Sequence, residues 1–80
     1  MKGEQDMTNY KIELGKMFAS NKLTKEEFEI IVGIYYEREK ETDKRAKGYF
    51  TRQLNKVLEN KEKVNFKHLK QMLDYRKENQ

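Results

Sequence analysis

Leu23-Thr24-Lys25-Glu26-Glu27-Phe28-Glu29-Ile30-Ile31-Val32-Gly33-Ile34-Tyr35-Tyr36 is the stretch that decides how this chain folds. Thr24 is followed three residues later by Glu27. That is the spacing of a capping box, in which each side chain bonds the other residue's backbone N–H. Leu23 and Phe28 stand at the two positions of a hydrophobic staple. A helix is therefore expected from Lys25 to about Lys40. The β-branched run Ile30-Ile31-Val32 also suits a strand, but the capping box and the flanking Glu, Lys and Arg residues favour helix.

This helix is unusually apolar. At 100° per residue, Phe28, Ile31, Val32 and Tyr35 share one side, while Ile30 and Ile34 fall on the far side. The apolar arc is about 240° wide, against roughly 100° for an ordinary surface helix. Only a stripe through Glu26, Glu29, Gly33 and Glu37 is left for solvent. Two readings follow. The helix is either the centre of the core, or it presents Ile30, Ile34 and Tyr36 to a partner, a second copy of the chain being one such partner. Gly33 either permits close backbone approach or is a tolerated defect.

Working outward, Met1–Thr8 is polar and expected to be loose. Thr8 is placed to cap a first helix through about Ser20, with Tyr10, Leu14, Met17 and Phe18 on one face. Gly15 weakens it by roughly 1 kcal/mol relative to alanine. Asn21, in the turn after it, tolerates the left-handed conformation that ends helices. Thr42 or Asp43 is placed to cap a third helix, about Lys44 to Asn60, with Ala46, Phe50, Leu54, Val57 and Leu58 as its apolar face. Asn65 is placed to cap a fourth, about Phe66 to Lys77, with Phe66, Leu69, Met72 and Leu73 inward and Val64 and Leu69 as a second staple. The expected fold is all-α, a compact three- to four-helix bundle in one small domain covering residues 1–80. Short connections should fold adjacent helices back on each other. The expected core is Leu14, Phe18, Phe28, Ile31, Val32, Tyr35, Phe50, Leu54, Val57, Leu69, Met72 and Leu73.

Asn21-Lys22-Leu23-Thr24-Lys25-Glu26-Glu27-Phe28 resembles the turn-and-helix start of short bacterial helical hairpins of the SHOCT type. The likeness covers under a quarter of the chain and carries no residue role with it.

Composition narrows the chemistry. Among 80 residues there is no cysteine, proline or tryptophan, and one histidine; 40% are charged and 35% hydrophobic. The lack of thiols excludes disulfides and thiolate chemistry. A zinc site would have to rest on His68 and carboxylates, so no metal or cofactor is expected. The longest apolar stretch, about nine residues, is too short for a membrane span. No secretory signal is evident, so the expected location is cytoplasmic. The many Lys, Asn, Ile and Tyr residues suit an AT-rich genome, such as that of a low-GC bacterium or its phages. Ser20 and His68 stand apart with no motif around them, and no glycine-rich phosphate loop is present, so catalysis is not expected. The numerous glutamates Glu26, Glu27, Glu29, Glu37, Glu39 and Glu41 resemble an exposed acidic face.

Charge is unevenly spread. Residues 1–39 balance to −2 and residues 40–80 to +6, for a net charge of +4. In the third helix Arg45, Tyr49, Arg52 and Lys56 recur at intervals of four, three and four, which makes one continuous stripe. Lys44, Lys47, Thr51 and Asn55 lie further round, and Lys61, Lys63, Lys67 and Lys70 continue the positive charge. Arginine forks fit phosphate or guanine, asparagine reads adenine, and tyrosine bonds phosphate. A plain solvated face, with basic side chains snorkelling over the core, explains the same residues. The function expected first is a small, non-enzymatic nucleic-acid-binding regulator or accessory protein, dimeric, that touches phosphates through Arg45, Tyr49, Arg52, Lys56, Lys44, Asn55, Lys63 and Lys67. DNA is the expected nucleic acid. The alternative is an adaptor or inhibitor of phage or mobile-element type that docks on a host protein through Ile30, Ile34 and Tyr36. Neither reading involves a membrane or a small-molecule substrate.

Overall fold

The computed structural model describes residues 9–79 of the chain. The loose segment expected over Met1–Thr8 lies outside them. Four helices and one short turn of 3-10 helix follow in order: α1 Tyr10–Ala19, α2 Lys25–Lys40, α3 Lys44–Asn60, the 3-10 turn Lys61–Lys63, and α4 Phe66–Glu78. Together they make a small all-α bundle.

Each helix starts where a short polar side chain can take up a free backbone N–H. The N-cap of α1 is Asn9, one residue beyond Thr8, and its Oδ1 accepts from the Ile12 N–H at 3.2 Å. The capping box of α2 is complete: the Glu27 N–H donates to Thr24 Oγ1 at 3.1 Å, and the Thr24 N–H donates to Glu27 Oε1 at 2.9 Å. Asp43 caps α3 and Asn65 caps α4. Asn21, at a φ of 63°, closes α1 in a Schellman motif, with Lys22 N–H donating to the Met17 carbonyl at 2.8 Å and Asn21 N–H to that of Phe18 at 3.1 Å.

The helices alternate in direction. Phe18 stacks on Phe28 with ring centroids 4.5 Å apart, while Arg38 lies over the Tyr10 ring, so α1 and α2 run antiparallel. Arg38 Nε donates to Thr51 Oγ1 at 2.7 Å and Lys61 Nζ to Glu27 Oε1 at 2.8 Å, so α2 and α3 do the same. The last helix departs from the expectation that sequence neighbours pair. α4 packs on α2 rather than on α3. It runs parallel to α2, with Lys70 beside Glu26 at one end and Arg76 beside Glu37 and Glu41 at the other. α2 therefore touches all three other helices.

That central position accounts for the wide apolar arc. Ile31 and Ile34 are wholly buried and Ile30 is nearly so, together with Leu14, Phe50, Leu54, Val57 and Leu69. Removing each such side chain from water contributes about 1.5–3 kcal/mol. Three expectations are corrected. Ile30 and Ile34 belong to the core, because α4 and the α1–α3 pair flank the two sides of α2. Phe18, expected inside, is 39% exposed and only caps the end of the core against Phe28. Gly33 and Glu37, expected to face solvent, face α4: a Cβ at Gly33 would stand 3.0 Å from Leu73 Cδ1, and Glu37 bonds Arg76.

Candidate nucleic-acid interface

The chain of α3 divides by face. Phe50, Leu54 and Val57 point into the core. One flank is tied to the rest of the bundle: Thr51 Oγ1 accepts from Arg38 and itself donates to the Lys47 carbonyl at 2.9 Å, and Asn55 Oδ1 accepts from the Tyr10 hydroxyl at 2.8 Å. What remains for solvent is the stripe of Arg45, Arg52 and Lys56, with Tyr49 at its border. These positions fall within about 60° of one another around the helix and span about 16 Å along it. Arg45, Arg52, Lys56 and Lys44 are all exposed. Among the described residues none of them pairs with a carboxylate. Tyr49 is half-buried, its ring edge-on to Phe50 with centroids 5.9 Å apart.

The other expected contact residues are not gathered here. Asn55 sits on the tied flank, and its carbonyl oxygen is already engaged by Tyr10. Lys63 lies on the 3-10 turn and pairs loosely with Glu59 at 3.6 Å. Lys67 is on α4 and lines a shallow groove with Glu26, Glu27, Phe66 and Lys70 at the start of α2, away from the stripe.

Of the six glutamates expected to form an exposed acidic face, Glu26, Glu29 and Glu39 are exposed, whereas Glu27, Glu37 and Glu41 are half-buried and act as fasteners. The Lys61 ammonium and then the Thr24 N–H hold the Glu27 carboxyl below its ordinary pKa, against a smaller opposing effect of burial. Burial pushes the Glu37 carboxyl up, but hydrogen bonds from Arg76 and Lys40 outweigh it and leave a net lowering. The Asp43 N–H, then Arg76, lower Glu41. Arg76 donates to Glu41 at 2.7 Å and to Glu37 at 2.8 Å, which raises its own pKa, and its guanidinium lies over the Phe50 ring. So Glu27, Glu37 and Glu41 are neutralised within the fold, while among the described residues the cations on the free face of α3 have no carboxylate partner. Nothing in the sequence near Arg76 or Arg38 marks them as fasteners. The partners on other elements lie 39 and 35 residues from Arg76 and 13 from Arg38.

A second feature is the open groove between α2 and α4. Ile30, Gly33, Tyr36 and Leu73 floor it, and Glu26, Glu29, Asp74, Lys40, Lys70 and Lys77 rim it. Tyr36 is 48% exposed there. Its rim mixes both signs and so selects no ligand charge. Among the described residues no group of three or more His, Cys, Asp or Glu stands ready for a metal ion. No helix is long and apolar enough to cross a membrane.

No protein-family model, no curated protein and no solved structure matches this chain. The likeness of residues 21–28 to SHOCT hairpins reduces to the capping box and the staple.

Proposed function

We propose that this chain is a small, non-enzymatic nucleic-acid-binding protein that neutralises phosphates through the free face of α3. One observation carries the reading. Arg45, Arg52 and Lys56 share that face without carboxylate partners among the described residues, whereas Lys61 and Arg76 are engaged by Glu27, Glu37 and Glu41. Unpaired cations aligned on a rigid helix are the electrostatic footprint of an anionic, extended partner.

The test is fluorescence anisotropy with a labelled duplex of about 30 base pairs at low salt. The reading expects micromolar or tighter binding, and loss of it when Arg45→Glu and Arg52→Glu are combined. Both side chains are exposed, so the helical circular dichroism spectrum should not change. Binding that survives the double reversal sinks the proposal. The protein-docking alternative rests on Tyr36 alone, since Ile30 and Ile34 are core, and stands second.

A further inference from the structure

We infer that α3 reads a double helix by its phosphodiester backbone and without regard to sequence. This rests on the nucleic-acid reading above and asks which property of the ligand the face can recognise.

Sequence is read by groups that match base edges: Arg or Lys on guanine, the amides of Asn and Gln on adenine, with Ser and Thr hydroxyls as lesser readers. The amides and hydroxyls carried by α3 itself are largely committed. Gln53 is 92% buried, being 8% exposed, on the core side of the helix. Asn55 offers its Oδ1 to Tyr10, which removes the acceptor half of a bidentate adenine contact. Thr51 uses its hydroxyl in both directions, as acceptor from Arg38 and donor to Lys47. Asn60 accepts from the Glu62 N–H at 3.0 Å and Asn65 from the His68 N–H at 3.0 Å, each as a cap. The side chains left free on the face are two guanidiniums and an ammonium. These bind phosphate in any sequence, and a guanine contact by Arg45 or Arg52 is the one strong base readout the face leaves open.

A single strand is a poorer ligand for the same face. Sequence-tolerant binding of unpaired bases needs aromatic rings that lie open for stacking. The one aromatic side chain of the stripe, Tyr49, is half-buried and turned edge-on to Phe50. The exposed ring of Tyr75 is on α4, on another element. Cations without a stacking platform favour the higher phosphate density of a duplex, one charge per about 1.7 Å of axis.

Anisotropy titrations of the full chain decide the matter. The probes are three DNA duplexes of about 30 base pairs (AT-rich, mixed and GC-rich), an RNA duplex, and an oligothymidine single strand of equal length. The three DNA duplexes should bind within about threefold of one another, and the single strand at least about tenfold more weakly. With three phosphates neutralised, a slope of about −0.9 per phosphate makes affinity fall about 40-fold between 50 and 200 mM salt. Lys56→Gln should flatten that slope by about 0.9. The same pattern on the RNA duplex also supports the inference, and the tighter of the two assigns the source. A spread above about 30-fold among the DNA duplexes, guanine preference by the two arginines included, overturns it. So does a single strand that binds as tightly as the duplexes. In either case nucleic-acid binding itself stands. No binding of any probe at 50 mM salt removes the functional reading beneath it.

Discussion

At the scale of single residues, two glycines inside helices make opposite cases. Gly15 of α1 has open space where a side chain would begin, with nothing within 4 Å of a Cβ built there. Gly15→Ala therefore recovers helix propensity without a clash. It should stabilise the protein by about 0.5–1 kcal/mol, read as a higher urea midpoint at unchanged slope. At Gly33 the same Cβ would stand 3.0 Å from Leu73 Cδ1, so a half-buried leucine must move. Gly33→Ala should gain less than Gly15→Ala or lose stability outright. A larger gain at Gly33 means that Leu73 does not hold its place. The caps are the part of this scale legible in sequence, because a cap and its N–H lie within three residues: Thr24, Asp43, Asn65 and the left-handed Asn21 all stand where local spacing puts them. The roles of Asn55 and Thr51 were not legible. Tyr10 and Arg38, which occupy them, approach only after α1 and α2 have packed on α3.

At the scale of elements, the width of the apolar arc on α2 was legible, but not what covers each part of it. A sequence shows which sides of a helix want burial; it does not show which neighbour arrives. Here α4 claims the side that carries Gly33 and Glu37, and a carboxylate there is tolerable only because Arg76 comes with it. The fastening has a pH consequence whose sign is fixed by direction. Glu27, Glu37 and Glu41 all have lowered pKa values in the folded state. Their contribution to stability is thus present above the unfolded carboxyl value of about 4.3 and is lost as pH falls through and below it. The urea midpoint should be flat from pH 7 to about 5 and drop below about pH 4.5. In the variant with Glu37→Gln and Glu41→Gln combined, the drop should be shallower and the neutral-pH midpoint lower. An unchanged acid profile in that variant would mean that the Arg76 fastening contributes nothing.

At the scale of the whole molecule, the bundle is a slab of 33 × 32 × 18 Å. α1, α2 and α3 touch one another, and α4 is added against α2. Ion pairs fasten α4 and the 3-10 turn to α2, and Arg45, Arg52 and Lys56 on the outer face of α3 have no carboxylate partner among the described residues. The positive second half of the chain was legible as arithmetic. Its division into fasteners and free cations was not, since Lys61 and Arg76 differ from Lys56 and Arg52 only in what the fold brings beside them.

The parallel seating of α4 on α2 orders events in time. Among the contacts that seat a helix on α2, Arg38 to Thr51 spans 13 residues and Arg76 to Glu37 spans 39, so the α4 contact closes the longer loop and carries the larger closure entropy, while the 45-residue contact of Tyr10 with Asn55 forms once α1 and α3 both sit on α2. Folding should therefore pass its barrier with α1, α2 and α3 assembled and α4 still undocked. Arg76→Ala, worth about 1–2 kcal/mol for a partly exposed pair of charged hydrogen bonds, should leave the refolding limb of a stopped-flow chevron unmoved. The unfolding limb should rise by about 5- to 30-fold. A slowed refolding limb would place α4 in the nucleus instead. With α4 last to dock, the rate at which it peels away sets the lifetime of the native state.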